Sequence, residues 1–382
     1  MNKTAARAAI IAAWIIYQGV AGFVYASPKI GYGSSTAVVT PKIQETFYMG
    51  FELGFEDVLG HKRVLELLSV KQVSDGSQQG ATRSAEHLLE NGAIALVGFP
   101  SSHDSLLAAD IAQKNQMFAL FTGSGHSDLA LKGPTVYTTG ASMDRAVESI
   151  IKFAQKKLPS KKGMVVINPY AVFSMNHETI VHKFMSEKLF PGVEMETVRL
   201  NKELVLNDAN IKALKSGRYG YVFLTPYPEE LAPLMNQLSE NKIDVPMIAS
   251  SSWGTAEPDI MTRFVSTKNT PFYVGTEWVR GQRESKHFEA LAQRRYGKEP
   301  NSEMSYGYDV GIIAGTVISR VKGELTKEAI VRAFHEQPCF KHTTVGEMCF
   351  GTKGGHAMRP LLIQKLTKSG RVLVKNEMGD GK

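Results

Sequence analysis

The sequence predicts an α/β protein whose chain folds as two lobes, each around a mostly parallel sheet. Short, nearly continuous apolar runs such as Ala93–Phe99 and Met117–Phe121 read as strands buried on both faces. They alternate with stretches of helical periodicity, which implies parallel strands joined by right-handed crossovers. The alternation runs through two series, parted by a short extended segment at Val136–Thr139. At 382 residues the chain is also too long for one ordinary core.

In order, Lys29–Gly33 is a weak first strand. Thr40-Pro41 opens a helix, with Thr as N-cap and Pro in the first turn. Its stripe Ile43, Phe47, Phe51, Phe55 and Val58 faces a core, and Gly50 and Gly54 allow close approach to a sheet. Val64–Val70 is a predicted strand, Asp75-Gly76-Ser77 a turn and Gln78–Asn91 a helix. Strand Ala93–Phe99 ends at Pro100-Ser101-Ser102. Ser102 is placed as N-cap of a helix to Asn115 that carries Leu107, Ile111 and Lys114 on one face. Strand Met117–Phe121 empties into Thr122-Gly123-Ser124-Gly125-His126-Ser127-Asp128.

The second series comprises helices Met143–Lys157, Asn176–Lys188, Asn207–Ser216 and Pro228–Asn241, with strands Gly163–Asn168, Glu194–Leu200, Tyr219–Thr225 and Pro246–Ser250. Pro271–Glu277 is another extended crossing. Helices follow at Ser285–Tyr296, Ser305–Lys322 and Thr326–Glu336. Thr344–Phe350, Arg359–Leu366 and Arg371–Lys375 read as an antiparallel meander.

Composition narrows the function. Hydrophobic content of 43% and charged content of 21% are those of a globular protein. The formal charge of +7 is modest, and Lys3 and Arg7 account for two of those charges, so nucleic acid is not expected as a partner. Lys3 and Arg7 precede an apolar stretch from Ala8 to about Val20 and then Val24-Tyr25-Ala26. This describes a signal peptide over 1–26, cleaved after Ala26, and an exported, periplasmic mature chain. Cys339 and Cys349 flank a turn at Gly346, where a disulfide is expected over two buried thiols.

No catalytic constellation stands out. Ser102-His103-Asp104 are neighbours, and three neighbours cannot place nucleophile, base and orienter in line. His177 and His182 are at i and i+5, not the i and i+4 of a zinc-binding helix. Gly123-x-Gly125 lacks the third glycine of a dinucleotide loop. No enzyme activity, metal or cofactor is therefore expected. What remains is a recognition surface. Two Ser/Gly loops follow strands of the first half, where bare N–H groups and hydroxyls suit a carboxylate. Asn168-Pro169-Tyr170 with Phe173, Thr225-Pro226-Tyr227 and Ser250-Ser251-Ser252-Trp253 follow strands of the second. Such aromatics either pack under neighbouring loops or close over a ligand from the opposite lobe.

Gly98-Phe99-Pro100-Ser101-Ser102…Ala109-Asp110-Ile111 and Phe121-Thr122-Gly123-Ser124 with Asp128-Leu129 resemble the ligand loops of the leucine/isoleucine/valine-binding family, the type I periplasmic substrate-binding proteins of ABC transporters. Tyr137-Thr138-Thr139-Gly140, Tyr308-Asp309 and Gly346…Phe350…Lys353-Gly354 resemble later landmarks of that family. The resemblance implies two Rossmann-like lobes joined by three crossings: 27–139 plus 277–340, and 140–276 plus 341–382. It implies a monomer that captures a small carboxylate-bearing ligand, such as an amino acid, an amide or an aromatic acid, and delivers it to a membrane permease. An extracytoplasmic ligand sensor is the alternative, with an exported enzyme behind it. It implies ligand roles for Ser102, Gly123, Ser124, Gly125, Phe173 and Tyr227, and with Ser101, Ser252, Trp253 and Tyr306 from the loops and the helix start these make the candidate ligand set. One departure matters. Family members that bind amino acids carry an acid after the strand occupied here by Pro246–Ser250, to hold the ammonium, and this chain has Ser251, Ser252 and Trp253. Either Glu229, Glu230, Glu257 or Asp309 substitutes, or the ligand is no α-amino acid.

Overall fold

The computed structural model describes residues 28–35, 41–68, 71–158, 160–255, 270–359, 361–367 and 370–374. The signal-peptide segment 1–26 lies outside them. No helix among the described residues is long and apolar enough to cross a membrane.

The first lobe opens with β1 (Lys29–Ser35), α1 (Pro41–Leu59), α2 (His61–Leu67), β2 (Gln72–Ser74) and α3 (Gln78–Glu90). It continues through β3 (Ala93–Gly98), α4 (Ser102–Lys114), β4 (Phe118–Phe121) and β5 (Val136–Thr138). The chain crosses at 139–142 into α5 (Met143–Lys157), β6 (Lys162–Ile167), α6 (Val172–Ser186), β7 (Glu194–Arg199) and α7 (Asp208–Lys215). The second lobe goes on with β8 (Tyr221–Leu224), α8 (Ala232–Glu240), β9 (Met247–Ala249) and β10 (Phe272–Thr276). From Glu277 the chain returns to the first lobe for α9 (Lys286–Tyr296), α10 (Ser302–Arg320) and α11 (Lys327–Glu336). The hairpin β11 (Cys339–Thr343) with β12 (Gly346–Cys349), and then β13 (Gly355–His356), complete that lobe. A third crossing from Ala357 onward leads to β14 (Leu362–Thr367) and β15 (Gly370–Leu373) in the second.

The first sheet runs β13-β5-β4-β3-β1-β2 and is parallel throughout. The second runs β15-β14-β10-β9-β8-β6-β7, parallel from β10 to β7 and antiparallel at β14 and β15. Register decides where the loops emerge. Gly33, Gly98 and Phe121 stand level across β1, β3 and β4. Val166, Leu224, Ala249 and Val274 stand level across β6, β8, β9 and β10. Each sheet therefore sends its loops out of one edge, and apolar side chains pack on both faces of each.

Several elements differ from the sequence expectation, each for a physical reason. Val64 and Leu67 lie in α2 rather than a strand, because one helical face is buried and Leu65 points to solvent. β1 is an interior strand between β2 and β3. Its glycines hide the usual apolar signature: a Cβ on Gly33 would lie 2.2 Å from the Phe99 ring. α4 buries Ser105, Ala108, Ala109 and Ala112 and leaves Leu107 and Ile111 at the margin. Gly50 and Gly54 meet a helix, not a sheet. Their Cβ positions lie 2.1 Å from the Met304 carbonyl oxygen and 2.3 Å from that of Tyr308, both in α10. Residues 341–356 belong with the first lobe, since β13 pairs with β5 and Phe340, Met348 and Phe350 pack in that lobe's core. The C-terminal strands therefore form no single meander.

The hairpin places Cys339 opposite Cys349, joined as a disulfide. Closing so short a loop contributes about 2–3 kcal/mol on chain-entropy grounds. Replacing both cysteines by serine is expected to lower the melting temperature, and adding reductant to the wild type should lower it similarly. Equal melting with and without the bond would overturn that value.

Candidate ligand-binding cleft

On the first lobe the polar groups at the strand ends are tied into a fixed rim. Ser101, not Ser102, is the N-cap of α4: its Oγ accepts from Asp104 N at 3.1 Å and donates to the Asp104 carboxylate at 2.9 Å. Ser74, at the end of β2, donates to the same carboxylate at 3.2 Å. Ser102 is thus the first residue of the helix, buried at its N-terminal turn, where unpaired backbone N–H groups and the helix dipole favour negative charge. Ser105 Oγ meets Ser124 Oγ at 2.8 Å and links the two Ser/Gly loops. Gly123 adopts φ +67°, and its Cβ position would lie 3.3 Å from the Tyr306 ring, so glycine serves both the turn and the contact. The carbonyl of Gly125 accepts from Met143 N at 2.9 Å. The Thr122 hydroxyl in the same loop is buried without a protein partner.

On the second lobe, Asn168 N donates to Ser174 Oγ at 2.8 Å, Ser174 meets Thr225 Oγ1, and Thr225 donates to the Val166 carbonyl at 2.7 Å. This chain of hydroxyls joins the ends of β6 and β8 to the start of α6. The rings of Phe173 and Tyr227 stack on each other with centroids 5.0 Å apart. Glu230 accepts from Tyr227 N at 3.1 Å and from the Asn168 side chain. Burial raises the Glu230 carboxyl above its ordinary pKa. Tyr227 is raised well above its ordinary value, first by burial and then by the carboxylates of Glu230, Glu229 and Asp104. Asp104 belongs to the first lobe, so the two rims lie within electrostatic reach of each other.

The lobes touch beside these rims. Ser127 N donates to Asn176 Oδ1 at 3.2 Å, and Ser127 Oγ donates to Asp144 at 2.6 Å. Helices α4 and α6 pack across the same gap. The lobes therefore meet next to the Ser/Gly loops and the Phe173–Tyr227 pair.

Behind the cleft, Arg359 on the third crossing joins all three connections. Its guanidinium is fully buried, 2.9 Å from the Asp309 carboxylate and 3.5 Å from that of Glu277. It also donates to the carbonyls of Thr139 and Glu277, and lies 4.7 Å from the centre of the Tyr306 ring. Burial opposes its charge, but Asp309, Tyr306 and Glu277 outweigh that and hold its pKa above the usual value. Glu277 in turn accepts from Ala141 N at 2.9 Å and from Tyr306.

The structure sorts the residues singled out by sequence. Ser102, Gly123, Ser124, Gly125, Phe173 and Tyr227 gather at the two rims, with Tyr306 behind Gly123. Ser101 is occupied as a cap. Phe173 is not on a loop tip, because α6 begins at Val172. Ser252 bonds Ser250 at 2.8 Å. Trp253 is no tip at all: it is fully buried in the second lobe, packed on Phe272, with its N–H on the Pro226 carbonyl at 3.1 Å. Among the acids considered for an ammonium, Asp309 is taken up by Arg359 and by the N–H and hydroxyl of Thr344. Glu257 lies outside the described residues, and Glu230 stands beside Tyr227. Sequence reasoning missed Asp104 as a rim group and Arg359 as the hub. A lone arginine between Met358 and Pro360 gave no sign of two distant acidic partners.

A family model described as periplasmic binding protein matches residues 44–371. No curated protein sequence matches the chain. Among solved structures, a leucine binding protein (LivK) from Thermotoga maritima superposes with a TM-score of 0.78 at 17% identity, covering 91% of this chain and 97% of that one. An ABC transporter substrate-binding protein from Desulfitobacterium hafniense in complex with Leu gives 0.72 at 19% identity, with 91% and 100% covered. An ABC transporter solute-binding protein from R. palustris in complex with benzoate gives 0.73 at 15% identity, with 91% and 95% covered.

Proposed function

The chain belongs to the periplasmic binding protein family, and from that premise we propose that it is the exported solute-binding component of an ABC transporter. In this reading the signal peptide 1–26 is removed, and the mature protein works as a monomer that hands its ligand to a membrane permease. The ligand is a small molecule held between the lobes, with a carboxylate on Ser102, Gly123, Ser124 and Gly125. Its other end lies against Phe173 and Tyr227. The observation that supports this is the contact of the two lobes beside the rims, through Ser127 and Asn176.

The charge around Tyr227 supports a narrower choice. Glu230, Glu229 and Asp104 all act on that ring as negative groups. A ligand that brings an ammonium or an amide N–H to this end is satisfied there, whereas a plain aromatic acid brings no donor. Glu230 takes the part that the missing acid after β9 would have played.

A thermal-shift and calorimetric panel tests both levels, using protein unfolded and refolded to remove carried-over solute. L-Leucine and L-phenylalanine are expected to raise the melting temperature more than benzoate does, and leucinamide, which lacks the carboxylate, less than L-leucine. Benzoate binding with no response to the other three would reverse the choice of ligand. No response to any of the four would count against solute capture. With a ligand in hand, Ser102→Ala is expected to weaken binding by about 1–3 kcal/mol, as for loss of a hydrogen bond to a charged group. Unchanged affinity would remove Ser102 from the site.

A further inference from the structure

Three histidines meet where the lobes touch. His126 follows the Ser/Gly loop of the first lobe, His177 lies in α6 of the second, and His356 ends β13 just before the third crossing. His126 and His177 are buried and His356 is half-buried. Their partners assign the protons. His126 Nδ1 accepts from Asp128 N at 3.2 Å and so carries no proton there in the neutral state. His177 Nδ1 donates to the Phe173 carbonyl at 3.0 Å, and His356 Nε2 donates to the His126 carbonyl at 3.1 Å. His356 also reaches the carbonyl of Gly125. One imidazole therefore caps the turn that carries Ser127, another supports the ligand loop from behind, and the third faces them from the opposite lobe.

We propose that this trio makes lobe closure sensitive to pH: neutral imidazoles let the lobes meet, and protonation drives them apart. The proposal rests on the reading of two lobes that close on a ligand.

The groups facing each ring decide the sign. His177 meets the rings of Phe173 and Phe223 and, across the gap, His126. Burial, and then His126, depress its pKa to about 4. His356 faces Asp144 and His126, and burial depresses it to about 4 despite the carboxylate. His126 faces Asp128, Lys132 and Asp144, and burial again wins and lowers it. Across the gap the facing pair is His126 and His177, where two positive charges would repel, so contact of the lobes favours uncharged rings. A base with a depressed pKa in the closed form binds fewer protons closed than open, so the closed form gains with rising pH and loses with falling pH. The window lies between the ordinary histidine value and about 4. Protonation of His126 Nδ1 also removes the acceptor for Asp128 N and loosens the turn that holds Ser127.

Small-angle X-ray scattering of the full chain, with no ligand added, tests this from pH 7.5 to 4.5. The radius of gyration is expected to rise on acidification, and the rise should move to lower pH in His177→Gln. In His126→Asn, which keeps an acceptor for Asp128 N, it should move likewise. A radius that stays constant, or the same rise in both variants, overturns the proposal. Should either variant fail to fold, a histidine-resolved NMR titration of the wild type decides. Amide signals of Ser127 and Asn176 that move together with the titration of His126 or His177 support it, and signals that stay in place while the rings titrate sink it. The readout needs no ligand. A protein that opens in acid yet binds nothing in the panel loses the transport reading and keeps the switch, and one that binds but does not open loses the switch alone.

Discussion

Replacing Arg359 with methionine is expected to cost about 3–5 kcal/mol at neutral pH, the usual result of removing one partner of a buried ion pair. Methionine fills much of the space but leaves Asp309 and Glu277 inside the protein without their cation. Both carboxyls already lie above their ordinary pKa, chiefly through burial, with Arg359 pulling the other way. Without the arginine they rise further and take up protons. An acid whose folded pKa is raised favours the folded state below its unfolded value, and that contribution is lost as pH rises through the folded value. The variant's deficit should therefore be largest near pH 7 and shrink towards pH 4. Urea unfolding of both proteins at the two pH values measures it. An equal deficit at both, or one under about 1 kcal/mol, would show that the guanidinium is not what holds the crossings together. The loss should also reach the cleft, because Arg359 and Glu277 together position Tyr306 behind Gly123.

Gly307→Ala is the second large effect. A Cβ there would lie 2.0 Å from the carbonyl oxygen of Phe47, closer than any real contact. The obstacle is backbone in α1 and cannot rotate away, so the helices must part. Helix propensity alone would reward alanine by ~1 kcal/mol. The expected net result is nonetheless a loss of about 3 kcal/mol, at the upper end of what overpacking costs. Gly315→Ala is the matched control, since its Cβ would meet the Val58 Cβ at 3.0 Å, a contact that a shift of a few tenths of an ångström relieves. Thermal or urea melts of both variants check the pair. Equal stability in Gly307→Ala and the wild type would mean that the close approach of α1 and α10 is not needed.

Much of this architecture could be read from periodicity. The βα alternation, the two series and the Ser/Gly loops at strand ends all follow from apolar runs broken by turn residues, and the spacing of Cys339 and Cys349 around Gly346 was enough for the disulfide. The misreadings share a cause, which is packing between distant segments. β1 looks weak because glycines replace the apolar residues where Phe99 lies across it. The run from Val64 reads equally as strand or helix until its exposed and buried sides are known. Trp253 stands in sequence where a binding loop should end, yet Phe272 and Pro226 fold it under. Asp104 sits in a run that spells triad residues, and its actual partners are Ser74 at the end of β2 and Ser101 at the start of α4. Arg359 illustrates the limit best, since its importance comes from residues 277 and 309, and nothing local marks it.

The order of segments along the chain has a consequence for biogenesis. The first sheet lacks an edge until residue 356 has been made, and the second waits for 362–373. Neither lobe can therefore be finished while most of the polypeptide is still emerging from the ribosome. Contacts between such remote stretches form slowly, so both halves should reach their final state late and nearly together, and a truncation anywhere before the last few strands leaves two incomplete bodies instead of one sound domain and one missing.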